Sequence, residues 1–251
     1  MSWLTAALRS SVGKKFVMGI TGLFLCLFLL IHLAGNMLLF AGAEAYNDYA
    51  HSLHKNQAFL LVAEVFLYAA FAAHIYLAYA TNAENQAARG NPYAVKQTKR
   101  QDRTINVFGW SPDTTMFVTG AVVLAFLIMH VSDFKFHFDT VHQRGVSAEE
   151  PYAKAIELMG APLRAVVYAV CCLFLGVHVA HGFASAFQSL GVNHPKYNGC
   201  IKLAALLFAV LVAVGFGSFG LWGLSHSGDA PGSVEEVAPE SPTTISPPPH
   251  P

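Results

Sequence analysis

Five apolar runs alternate with polar segments along the chain, and each run is long enough to cross a lipid bilayer. At about 1.5 Å of helical rise per residue, a hydrocarbon layer of about 30 Å needs roughly 20 residues. The pattern predicts spans over 15–41 (span I), 58–81 (span II), 114–133 (span III), 162–188 (span IV) and 201–224 (span V). Residues 1–14 read as a short amphipathic approach helix, with Trp3 and Leu8 suited to an interface. Between the spans lie GAEAYNDYAHSLHKNQ, short and polar, a basic loop over 82–113, a polar and mostly acidic stretch over 134–161, and the turn-rich GVNHPKYNG. The tail over 225–251 is proline-rich and acidic, a composition that predicts disorder. No repeat of fixed period is evident.

Composition agrees with this division. Hydrophobic residues make up 54% and charged residues 12% of the chain, and the mean hydropathy is +0.44, as for a polytopic membrane protein. Formal net charge is zero and no basic block is interleaved with aromatics, which argues against a nucleic-acid partner. Cys26, Cys171, Cys172 and Cys200 lie in or beside apolar runs without metal-site spacing, so they read as packing residues. The first apolar run is about twice a signal-peptide core and reads as a retained span.

Charge matters through its distribution between loops. With the N-terminus inside, the inner segments hold Arg9, Lys14, Lys15, Arg89, Lys96, Lys99, Arg100, Arg103, Lys196 and Lys202. The outer segments hold Lys55, Lys135, Arg144, Lys154 and Arg164. Ten against five predicts a cytoplasmic N-terminus and an external C-terminus.

The candidate chemistry is histidine. His32, His74, His130 and His178 fall on spans I to IV, with His181 one turn beyond His178. Each lies near the C-terminal end of its own span, and consecutive spans run in opposite directions. His32 and His130 are therefore expected toward one face and His74 and His178 toward the other, in layers separated by roughly 12 to 18 Å. An ionisable side chain inside a membrane is a mark of function. Paired neutral imidazoles on facing helices suit a six-coordinate haem iron, and two layers suit two stacked haems. Gly35, Gly120, Gly176 and Gly182 lie near these histidines and are expected to make room for a macrocycle. His51, His54, His137, His142, His194, His226 and His250 read as solvated or interfacial. The competing readings are a single histidine hydrogen-bonding across a helix interface and a histidine-lined proton-coupled transporter; no inverted repeat or broken helix favours the latter.

The runs SSVGKKFVMGITGLFLCLFLLIHLAGN, EAYN (Glu44 to Asn47), AAFAAHIYLAY, ARGNPYAV, LAFLIMH and HVAHGFASAFQSLG together resemble the di-haem cytochrome b membrane anchor of succinate dehydrogenase and fumarate reductase, of the b558 class. The resemblance covers roughly residues 10–224. It implies an all-α membrane protein, a five-transmembrane-helix bundle enclosing two haem b groups, in the inner (cytoplasmic) membrane of a prokaryote. It also implies an inner face that docks an iron-sulfur subunit and, through it, the flavoprotein that interconverts succinate and fumarate; the anchor holds no dicarboxylate site itself. Electrons would pass between the iron-sulfur subunit and menaquinone or another quinone. The family's ligands match His32 with His130 for the distal haem and His74 with His178 for the proximal one. The family's glycine spacing selects His178, with Gly182 and Gly191, over His181. Some menaquinol-oxidising fumarate reductases carry a glutamate two residues before the span IV ligand, where this chain has Gly176, so that proton route is not expected. A cytochrome b of the hydrogenase or formate dehydrogenase type is the nearest alternative, disfavoured by one histidine per span and by the HVAHGFASAFQSLG run.

Haem propionates need cationic or hydroxyl partners near the membrane faces. Lys14, Lys99, Arg103 and His181 are the candidates on the inner side, Lys135 and Arg164 on the outer. A quinone needs a donor and a proton path, for which the cluster of Glu44, Tyr46, Asn47, Asp48 and His51 just beyond span I is the candidate. Snorkelling anchors and a capped loop helix use the same residue types.

Overall fold

The computed structural model describes residues 3–88, 112–136 and 151–226, and all its regular structure is helical. Helix α1 (Trp3–Arg9) stops at Ser10, whose hydroxyl accepts from the Gly13 amide at 3.1 Å and caps α2 (Ser11–Asn36). A 3₁₀ turn (Met37–Ala41) extends α2 to Gly42, where φ of 104° requires glycine. The polar linker that follows is itself a helix, α3 (Ala43–His54). Asn56 then accepts from the Phe59 amide at 3.1 Å to start α4 (Gln57–Ala87). Helix α5 (Pro112–Val131) runs into a π-helical turn (Ser132–Phe136), and α6 (Pro151–Gly160) precedes α7 (Pro162–Ser189) and α8 (Pro195–Ser225).

Five helices are long and apolar enough to cross a membrane: α2 with its 3₁₀ turn, α4, α5 with its π turn, α7 and α8. The last starts earlier than the sequence predicts. Pro195 occupies the first turn, where its missing N–H costs nothing, and His194 Nδ1 accepts from the Lys196 amide at 3.2 Å, so most of the turn-rich segment is helical. Large apolar side chains such as Leu27, Ile31, Phe66, Leu173, Leu207 and Val214 point outward around the bundle. Contiguous apolar surface on this scale fits lipid, not water.

Packing centres the helices on α7. Helix α7 is the most enclosed and lies along α8, with α2 and α5 also against it; α4 leans on α2 and is the most exposed. Small residues permit the closest approach. A methyl group on Gly176 would stand 2.8 Å from Ala213 Cβ, and one on Gly220 3.0 Å from the Ala165 carbonyl oxygen. Neither α5 nor α7 makes extensive backbone contact with α4, and the cleft between them holds a cavity on each side.

Within the polar stretch, α6 is less exposed than its sequence suggests. Ala153, Ala155, Ile156, Leu158 and Met159 are buried against α3, α7 and α8, with Lys154 buried among them, at the far end of the bundle, opposite the end where α2 begins. The tightest point is Gly223, where an added Cβ would stand 2.3 Å from Met159 Cβ and 2.8 Å from the Met159 carbonyl carbon. Gly223→Ala is therefore expected to push α6 off α8 and to lower stability by about 1–3 kcal/mol. Thermal unfolding of the purified chain in detergent measures this; an unchanged midpoint would show that the contact gives way freely.

Candidate functional site

Helix direction brings the span histidines together two by two. At the far end, His32 of α2 and His130 of α5 have ring centres 5.8 Å apart, nearly perpendicular to one another. Toward the near end, His74 of α4 meets Thr21 of α2 and His178 of α7 meets Thr119 of α5, so the two rings rest against the two helices that carry the far pair. These pairs differ in what surrounds them.

The far pair sits among aromatic rings. Phe28 stacks on His32 at 5.2 Å and Phe216 of α8 lies at 5.6 Å, while Phe126, Phe134 and Tyr168 ring His130 at 5.8, 5.2 and 6.1 Å. Asn36 Nδ2 donates to the His32 carbonyl at 2.8 Å and is 3.4 Å from its Nδ1. His130 Nδ1 is buried and has no hydrogen-bond partner among the described residues. Two imidazoles on opposite sides of one metal ion, at about 2 Å per metal–nitrogen bond, have ring centres about 6 Å apart, close to the spacing found.

The near pair is held by hydroxyls. Thr21 Oγ1 lies 3.3 Å from His74 Nδ1, and Thr119 Oγ1 lies 3.2 Å from His178 Nδ1. Each threonine already donates its one proton to its own helix, Thr21 to the Val17 carbonyl at 3.0 Å and Thr119 to the Thr115 carbonyl at 2.8 Å. The oxygen is therefore the acceptor, and the ring carries its proton on Nδ1. Nε2 is then left with a free lone pair, the form in which imidazole binds a metal.

His181 behaves differently. Its Nδ1 donates to the Val177 carbonyl one turn back, at 3.1 Å, which lays the ring along α7. Glycines also divide: a Cβ on Gly22 would be 3.2 Å from His74 Cε1 and one on Gly120 3.3 Å from His178 Cε1, so both face the near pair. Gly182 has only Met116 within 4 Å, at 3.8 Å. The expectation for Gly35 and Gly176 is corrected, since Gly35 admits the Tyr49 ring and Gly176 admits α8. No family model, no curated protein and no solved structure matches this chain. The site is thus read from its own geometry.

The expected polar partners are mostly engaged. Arg164 Nη2 lies 3.3 Å from Oδ1 of the buried Asp133, whose Oδ2 accepts from the Tyr168 hydroxyl at 2.7 Å. Lys14 pairs with Glu84, and Lys135 with Glu64. Lys99 and Arg103 lie outside the described residues. Of the loop cluster, Glu44, Asp48 and His51 are exposed, whereas Asn47 Oδ1 accepts from the Tyr152 amide at 3.0 Å and secures α6. Tyr46 turns inward and donates to Asn36 Oδ1 at 3.3 Å, one link from His32. Burial, with Tyr49 adding to it, holds the Tyr46 phenol above its ordinary range.

Two cavities flank the pairs. A polar one of about 380 Å³ at the near end is lined by Lys15, Met18, Thr81, Asn85, Ser185 and Gln188. A more apolar one of about 270 Å³ opens between α4 and α5 at the far end, where Leu53, His54, Glu64, Phe134 and Lys135 surround one edge of His130. Sequence reasoning passed over Thr21, Thr119, Lys15, Glu64 and Asp133. Glu64 and Asp133 could have been found as carboxylates inside apolar runs.

Proposed function

We propose that this chain is a di-haem cytochrome b membrane anchor of the succinate dehydrogenase and fumarate reductase type, carrying electrons between an iron-sulfur subunit and a membrane quinone. The observation that carries the reading is the two imidazole pairs on facing helices, the near pair with Nδ1–H fixed and Nε2 free. Haem iron ligated by two imidazoles cycles between two oxidation states and has no open position for oxygen. His32 and His130 would hold one haem and His74 and His178 the other, and the cleft beside α4 offers flat space for them.

The surrounding residues supply the rest. Lys15, Thr81, Asn85, Ser185 and Gln188 give the near-end cavity donors suited to propionates, and take the place that Lys14, pinned by Glu84, was expected to fill. Beside His130, Glu64 offers a carboxylate for proton exchange in an apolar cavity that fits a quinone ring, better placed than the exposed Glu44 and His51. Charge asymmetry between loops puts the near end on the cytoplasmic side of a prokaryotic inner membrane, where the iron-sulfur subunit and its flavoprotein partner would dock.

A reduced-minus-oxidised spectrum with pyridine-haem quantitation tests this on the purified chain. Two b-type haems per chain are expected. A colourless preparation from cells with ample haem would rule the reading out.

A further inference from the structure

Spans I and III carry the same side chains in the same register: Met18, Thr21, Gly22, Phe28 and His32 on α2, and Met116, Thr119, Gly120, Phe126 and His130 on α5. The spacing between spans II and IV differs from that between I and III, which is why no single period marks the repeat in the sequence. In space the correspondence is functional. On each helix the histidine joins the far pair, while the Thr-Gly step two to three turns earlier receives a ring of the near pair from the neighbouring helix.

We propose that Thr21 and Thr119 are paired positioning residues that fix the ring planes and donor strength of His74 and His178, and so set the electronic properties of the near haem alone. The inference rests on the haem reading above. Each threonine spends its proton on its own helix, so its oxygen can only accept, and the accepted Nδ1–H orients the imidazole and makes Nε2 a stronger donor. A stronger donor stabilises the ferric state and lowers the potential. The glycine that follows leaves room for the Cε1 edge of the ring, which a Cβ at 3.2 or 3.3 Å from Cε1 would crowd. At the far pair the arrangement differs: His130 Nδ1 lacks a partner among the described residues, and His32 Nδ1 faces an amide donor of its own helix, Asn36 Nδ2 at 3.4 Å, where the near rings face a hydroxyl of a facing helix. The same pair of helices thus offers hydroxyl acceptors to one layer and aromatic packing to the other.

The test uses the haem-loaded full chain. Thr21→Val and Thr119→Val keep the branched shape and remove the acceptor, whereas Thr21→Ser and Thr119→Ser keep it. Each valine variant is expected to retain both haems and to raise the midpoint potential of one haem, the same one in both. That haem's low-spin electron paramagnetic resonance signal should change with it, and the serine variants should match the unsubstituted chain. Loss of that haem from the valine but not the serine variants carries the same meaning. With two haems in the unsubstituted chain, unaltered potentials and signals, effects on different haems, or equal damage in serine and valine variants would overturn the inference and leave the haem reading standing. An unsubstituted chain without haem would overturn both.

Discussion

If the chain carries the two haems proposed, His178→Ala is expected to leave one per chain, with the far pair's haem spectrally unchanged. The substitution removes a ring that takes its orientation from Thr119. Among the described residues no other imidazole is positioned to replace it. His181 is one turn away, but its Nδ1 bond to the Val177 carbonyl lays the ring along α7. His181→Ala is accordingly expected to keep both haems. Pyridine-haem quantitation of the two variants side by side decides the matter, because loss of a haem from His181→Ala with retention in His178→Ala would reverse the ligand assignment. Ring removal also opens space beside Gly120, so a parallel thermal scan is needed to show that the bundle remains folded.

The second large effect lies at the far end and concerns stability. Arg164→Ala strips the Arg164 charge from beside Asp133, which is 3% exposed and keeps the Tyr168 hydroxyl. Leaving a buried charge uncompensated costs about 3–5 kcal/mol, and because the Arg164 side chain is 32% exposed the lower end, about 3 kcal/mol, is expected. Asp133→Asn combined with Arg164→Ala removes both charges and should recover much of the loss. Thermal unfolding in detergent across the three chains measures the coupling. A double variant no more stable than Arg164→Ala would show that the arginine acts through packing and not through the pair.

The spans were legible because apolar length is a one-dimensional property, and the histidine pairing was legible because consecutive spans across a membrane run in opposite directions. Both rest on counting along the chain. What escaped depends on which face of a helix meets which neighbour. Thr21 and Thr119 are unremarkable hydroxyls in apolar runs until α4 and α7 bring imidazoles to them. Gly35 and Gly176 read as room for a cofactor, yet one admits Tyr49 and the other α8. Helix α6 was hidden because Lys154 and Glu157 break up its apolar residues in sequence, although they share a helix with Ile156, Leu158 and Met159 that buries itself. Arg164 was found as an outer-face cation, but its partner Asp133 is exposed to view only once the π-helical turn is seen to carry it against α7.

The position of α6 has a bearing on how the molecule is made. It docks on α8, a helix that the ribosome delivers later, and Phe216 of α8 also forms part of the wall around His32. The near pair needs only α2, α4, α5 and α7, all of which precede α8 in synthesis. During vectorial synthesis, which completes N-terminal elements first, the near layer can therefore mature while the far layer still lacks a wall and a cover. The two layers are finished in a set order, and the last span closes the second.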